Sequence, residues 1–137
     1  SAPLIYMLAD PQCPFCHATW EDLAPMVQKS ELRVRVVMIA ILAKSEDKAI
    51  SILSRPNPAA AWMKGEGSRK GVPVLLPPKQ GTPEYNRARR LLERNEEAGD
   101  KLQIQATPYL WYESDGVFYE NRGRPKDLEA FLSEVKS

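Results

Sequence analysis

Leu4-Ile5-Tyr6-Met7-Leu8-Ala9-Asp10-Pro11-Gln12-Cys13-Pro14-Phe15-Cys16-His17 is an apolar run that breaks at Asp10-Pro11 and opens into a cysteine pair. The run from Leu4 to Ala9 suits a buried strand. Pro11 lacks an N–H and biases Asp10 away from helix, so the strand stops there. A helix is expected from near Cys13, with Pro14 in its first turn, where the missing N–H costs nothing. Trp20, Leu23, Ala24 and Val27 then recur at i, i+3, i+4 and i+7 and give one buried stripe. Pro25 falls inside this helix and should kink it. The stretch holds the only two cysteines and the only histidine of the chain. C-x-x-C at a strand-to-helix junction reads as a dithiol redox centre, but C-x-x-C-H also spells a haem attachment signature.

Working outward, Leu32, Val34 and Val36 alternate with Arg33 and Arg35 before a uniform apolar run to Leu42. This is a second strand, exposed on one face at its start and buried later. Strand, helix, strand implies a right-handed βαβ unit. Residues 44–100 read as mostly helical. A short helix follows Ser45, and a second opens at Pro58 with Asn57 as its cap. Gly65 to Pro83, rich in glycine and proline, reads as a long loop. Thr82-Pro83 starts a strong helix to about Ala98, with Tyr85, Ala88, Leu91 and Leu92 inward. Pro108 to Tyr112 and Val117 to Tyr119 form a hairpin about Ser114-Asp115-Gly116. Pro125 opens a last helix with Leu128, Phe131, Leu132 and Val135 inward. The order β-α-β, helical insertion, β-β-α is α/β, the layout of a thioredoxin fold with a helical insert between its halves.

The chain has 137 residues, 43% hydrophobic and 27% charged, which fits one domain over 1–137 with a real core. A net charge of +1 leaves no strong nucleic-acid or membrane footprint. The mixed arginines and glutamates of 87–97 read as a solvated helix face. No apolar run spans a bilayer. No signal-peptide pattern opens the sequence, and strand-like sequence begins at Leu4, as in a mature or trimmed fragment.

At a helix N-terminus, unpaired N–H groups and the helix dipole favour negative charge. Cys13 is therefore assigned as the nucleophile, with a thiol pKa below the free value of about 8.5. Cys16, one turn further in, should be more buried and act as the resolving cysteine. Neither Pro14 nor Phe15 is acidic, so neither opposes the thiolate. His17 lies four residues after Cys13, on the same helix face, and is a candidate modifier of the thiolate or a bystander. Thr107-Pro108, ahead of the aromatic strand, is the second element. A loop there can face the dithiol and pair with an extended substrate, with Pro108 cis and Thr107 bordering Cys13.

These residues resemble the catalytic domain of the DsbC/DsbG-type periplasmic thiol:disulfide isomerases, and the DsbG branch more than the other. Ala9-Asp10-Pro11-Gln12-Cys13-Pro14-Phe15-Cys16, Trp20, Pro25 and Ala106-Thr107-Pro108-Tyr109-Leu110-Trp111-Tyr112 carry the resemblance. It implies a bacterial periplasmic enzyme that reduces or isomerises disulfides, or reduces sulfenic acids, in secreted proteins. It implies no cofactor beyond the dithiol, a membrane electron donor of the DsbD type, and protein substrates. It also matches Cys13, Cys16, Thr107 and Pro108 to the family's attacking cysteine, resolving cysteine, threonine and cis proline. The family carries an N-terminal dimerisation domain and linker helix with no counterpart in this sequence. The expectation is an excised catalytic domain or a short relative, dimeric only where that domain is present.

Two rival classes stand beside this reading. A c-type cytochrome would use Cys13 and Cys16 for thioethers and His17 as axial ligand, with a methionine opposite. The strand before the motif and the α/β alternation after it argue against haem. A chaperone-like binding module would use Tyr109, Trp111 and the 65–83 loop instead of the thiols. A zinc site lacks a fourth ligand, so no metal is assigned.

Overall fold

A computed structural model describes residues 1–66 and 76–137. In chain order the elements are β1 (Leu4–Ala9), α1 (Pro14–Gln28), β2 (Arg33–Met38), α2 (Ser45–Leu53), α3 (Pro58–Glu66), α4 (Pro83–Lys101), β3 (Tyr109–Ser114), β4 (Val117–Arg122) and α5 (Leu128–Leu132). The strands form one sheet in the order β2-β1-β3-β4. β1 and β2 are parallel, with Met7 opposite Val36, and α1 supplies the crossover that parallel pairing needs. β3 runs antiparallel to β1, with Met7 opposite Leu110, and β4 antiparallel to β3. Asp115 and Gly116 join that hairpin at φ +51° and +77°, the doubly left-handed pattern that matches strand twist.

Alternation along the strands divides the core in two. Ile5, Met7, Ala9, Leu110 and Tyr112 face α1, where Cys16, Trp20 and Leu23 meet Ile50, Ile52, Trp62 and Leu92. Trp20 and Trp62 pack edge to face at 6.0 Å and join α1 to α3. The opposite face carries a smaller core of Leu8, Ile39, Ile104 and Tyr109. Trp111 stacks between Tyr6 and Tyr109 there, at 5.2 Å and 5.4 Å.

Several expected boundaries move. The second strand ends at Met38, because Ile41 and Leu42 donate their N–H groups to the Asp10 carboxylate, and both side chains are exposed. The helix from Pro58 continues through Gly65 to Glu66, inside the expected loop, and packing of Trp62 and Glu66 outweighs the poor helix propensity of Gly65. The remainder of that expected loop at 67–75 lies outside the described residues. The last helix begins at Leu128, because the Asp127 side chain caps it by accepting from Ala130 N at 3.0 Å. It ends at Leu132, short of Val135. The helical assignment of α1 runs on through the exposed Pro25.

Candidate active site

The site sits where β1 hands over to α1. Cys13 N donates to Asp10 O at 3.1 Å, which closes a tight turn. Cys13 is the N-cap of α1, with extended backbone at φ −77° and ψ 119°. Pro14 follows at the first helical position, where its fixed φ suits the helix. An N-cap side chain accepts from the first turn's N–H groups, and here the cap atom is sulfur: Cys16 N donates to Cys13 Sγ at 3.3 Å. Negative charge on a sulfur so placed is favoured by that N–H and by the helix dipole.

Thr107 meets this cap from 94 residues away. Cys13 Sγ donates to Thr107 O at 3.5 Å. The Thr107–Pro108 peptide bond is cis and Pro108 is buried. Pro108 O accepts from Gly123 N at 2.8 Å, so the end of β4 braces the loop. Gly123 adopts φ +83°, a conformation that side-chain-bearing residues rarely take.

Cys13 is 8% exposed and Cys16 is fully enclosed, and both are free thiols. Burial pushes the Cys16 thiol pKa strongly upward, while a hydrogen bond with the Thr107 side chain opposes the shift. Cys16 therefore holds its proton at neutral pH. One thiol is at the rim and the other is held back beneath it.

Phe15 is 63% exposed and Pro14 is exposed at the same rim. Beside them lies an open groove of about 720 Å³ lined by Phe15, Asp22, Arg124, Pro125, Lys126 and Leu128. Asp22 and Arg124 form a two-pronged pair at 2.8 Å and 3.1 Å that ties α1 to the segment before α5.

His17 turns toward α3. Its Nδ1 is hydrogen-bonded to Glu66 Oε2 at 2.9 Å. Its Nε2 lies 2.7 Å from Glu21 Oε1, an ion-pair distance, without a hydrogen bond. Glu66 is 1% exposed. Burial raises its pKa and the hydrogen bond from His17 pulls it back.

The structure thus gathers Cys13, Pro14, Phe15, Cys16, Thr107 and Pro108 into one corner, with His17 on the flank. Two carboxylates there went unread in the sequence. Asp10 was legible only as a strand breaker, and Glu66 fell within an expected loop. The arrangement does not suit haem. Both cysteines are enclosed, one ring nitrogen of His17 is bonded to Glu66, and Met7 and Met38 are packed in the core. Among the described residues, no cluster of three or more His, Cys, Asp or Glu side chains is placed to hold a metal ion. Nor is any helix among them long and apolar enough to cross a membrane.

Known proteins share this architecture. The profile of a family described as a thioredoxin-like domain matches residues 1–136. The chain is 28% identical over 112 residues to the thiol:disulfide interchange protein DsbG of Escherichia coli (strain K12), covering 81% of this chain and 44% of that protein. It is 28% identical over 125 residues to DsbG of Pseudomonas aeruginosa, covering 90% and 47%. The chain therefore spans just under half the length of these relatives. Among solved structures, a disulfide interchange protein from Neisseria gonorrhoeae superposes with a TM-score of 0.69 at 18% identity, over 98% of this chain and 89% of that one. The catalytic domain of Proteus mirabilis ScsC gives 0.65 at 19% identity, over 96% and 82%.

Proposed function

This chain belongs to the thioredoxin-like domain family, and we propose that it is a thiol:disulfide oxidoreductase acting through Cys13 and Cys16 on disulfides or sulfenic acids of secreted proteins. The observation that carries this reading is the Cys13 sulfur, set at a helix N-terminus between the Cys16 N–H and the Thr107 carbonyl. The thiolate of Cys13 attacks one sulfur of a substrate disulfide. A mixed disulfide forms and one substrate thiolate leaves. Cys16 then gives up its proton and attacks Cys13 Sγ. The Cys13–Cys16 disulfide forms and the second substrate thiol is released, so the substrate gains the two electrons the dithiol loses. A second substrate thiolate that attacks the mixed disulfide first returns Cys13 unchanged, and the net result is isomerisation. With a sulfenic acid the first step expels hydroxide in place of a thiolate, and a solvent proton turns it to water.

Thr107 and Pro108 line the edge where substrate backbone would lie, and Phe15 supplies an exposed apolar contact. His17 flanks the site as a modifier through its pairing with Glu66. The dithiol needs no further cofactor. The thiol:disulfide interchange named in the DsbG relatives supports disulfide-bearing protein substrates, and a periplasmic location and a reductant of the DsbD class belong to the same proposal. Residues 44–100 are read as a helical insertion in a single catalytic domain, and dimerisation as belonging to a domain outside these residues.

Cys16→Ala tests the mechanism. It should accumulate a mixed disulfide between Cys13 and substrate, visible by non-reducing electrophoresis and mass spectrometry, and insulin reduction should stop. Cys13→Ala should form no adduct at all. Unchanged function in Cys13→Ala would overturn the enzyme in favour of a binding module, and a Soret band on the purified protein would restore the cytochrome.

A further inference from the structure

We propose that Asp10 is the positioning residue of the dithiol: its carboxylate fastens the turn that carries Cys13 to residues 41–45 and so holds the Cys13 sulfur in place. The proposal rests on the reading of Cys13 as the attacking sulfur. Asp10 is fully buried. Its Oδ1 accepts from Gln12 N at 2.8 Å and from Ser45 Oγ at 2.6 Å. Its Oδ2 accepts from Ile41 N at 2.7 Å and Leu42 N at 2.9 Å. Its own carbonyl accepts from Cys13 N. One residue therefore joins the cap of α1 to the chain leaving β2.

The position in the sheet explains why this residue controls the turn. β1 and β2 pair as far as Ala9 and Met38, and Ile39 N donates to Ala9 O at 2.9 Å. Beyond that bond the two chains separate. The Asp10 carboxylate takes the N–H groups that the strand ladder no longer uses. Gln12 Nε2 adds a parallel tie to Ala43 O at 2.7 Å. Lys44 turns the partner segment at φ +66°, ahead of Ser45. The chemistry demands a carboxylate. Both oxygens face donors, so an amide at this position would set its own N–H groups against two of them. A glutamate would add a methylene to a filled space.

The experiment compares Asp10→Asn, Ser45→Ala and Gln12→Ala with a stability control, Leu32→Ala, buried ahead of β2 at the end of the sheet away from Asp10. The readouts are the rate at which iodoacetamide modifies Cys13 in the reduced, folded protein and the dithiol–disulfide equilibrium with glutathione. D10N should slow Cys13 modification roughly tenfold, as expected when a reacting group is misplaced. Ser45→Ala and Gln12→Ala should each slow it by a few-fold, and the glutathione equilibrium should shift in the same order. Leu32→Ala should lower Tm while leaving both readouts at wild-type values. A wild-type Cys13 rate in folded D10N, or an equal slowing in Leu32→Ala, overturns the proposal. Should D10N not fold, wild-type rates in both milder variants overturn it. If wild type reduces no disulfide while D10N still slows Cys13, the oxidoreductase reading fails and the positioning role stands.

Discussion

Asp10 and Glu66 are both buried carboxylates beside the active-site helix, 0% and 1% exposed, and they are satisfied in opposite ways. Asp10 is surrounded by three backbone N–H groups and one hydroxyl, none of which titrates near neutral pH. Glu66 faces the imidazole of His17, an ionisable ring, in place of backbone donors. A buried charge is tolerated when fixed dipoles solvate it, and Asp10 has that shell. Glu66 is hydrogen-bonded to the ionisable His17, and burial raises its pKa despite that partner. The first carboxylate fastens the turn under Cys13 through fixed donors, and the second is a pairing with His17 that changes with pH.

Removing the Asp10 side chain tests the contrast most severely. Asp10→Ala strands several buried donors at once and should cost about 3 kcal/mol at neutral pH. That corresponds to a fall in Tm of roughly 10 °C for a domain of this size, readable by calorimetry. A loss under about 1 kcal/mol would mean that the 41–45 segment finds other partners for its N–H groups.

Glu66→Gln should have a smaller effect whose sign depends on pH. The folded-state pKa of Glu66 lies above its ordinary 4.5. Folding therefore favours the protonated acid. That contribution is complete below the ordinary value and fades as pH rises through the raised one. Relative to wild type, Glu66→Gln should gain a few degrees in Tm between acidic and neutral pH. A constant difference across that window would sink the contrast, since Glu66 would then titrate as it does in the unfolded chain. Neighbouring charges that bear on the profile are His17, Glu21 and Lys48.

Glu21→Gln marks the small end of the scale. Its side chain is 53% exposed and lies 2.7 Å from His17 Nε2 without a hydrogen bond. A change within about 0.5 kcal/mol is expected by chemical denaturation. A larger loss would give Glu21 a share in holding His17 and would weaken the assignment of that task to Glu66.

Much of this site was legible along the chain because it is written in local chemistry. Pro14 inside the first turn, the stripe through Trp20 and Leu23, and the break at Asp10-Pro11 place the cysteines at a helix N-terminus. Thr107-Pro108 ahead of an aromatic strand marked the loop now found against Cys13. Ile41 and Leu42 misled, because apolar residues after a strand extend its pattern even when a side chain elsewhere has captured their N–H groups. Gly65 misled in the other direction, since tertiary packing holds α3 together past a residue that favours a break.

The amino-acid order alone determined the α/β layout, the dithiol at the start of α1 and the inner position of Cys16, since each follows from periodicity, caps and spacing within a few turns. Tertiary structure decided what those thiols face. Thr107 reaches Cys13 across 94 residues, Ile41, Leu42 and Ser45 reach Asp10 across 31 to 35, and Glu66 reaches His17 across 49. Such meetings depend on sheet register and helix docking, which sum over the whole core, so no local pattern around either partner announces them.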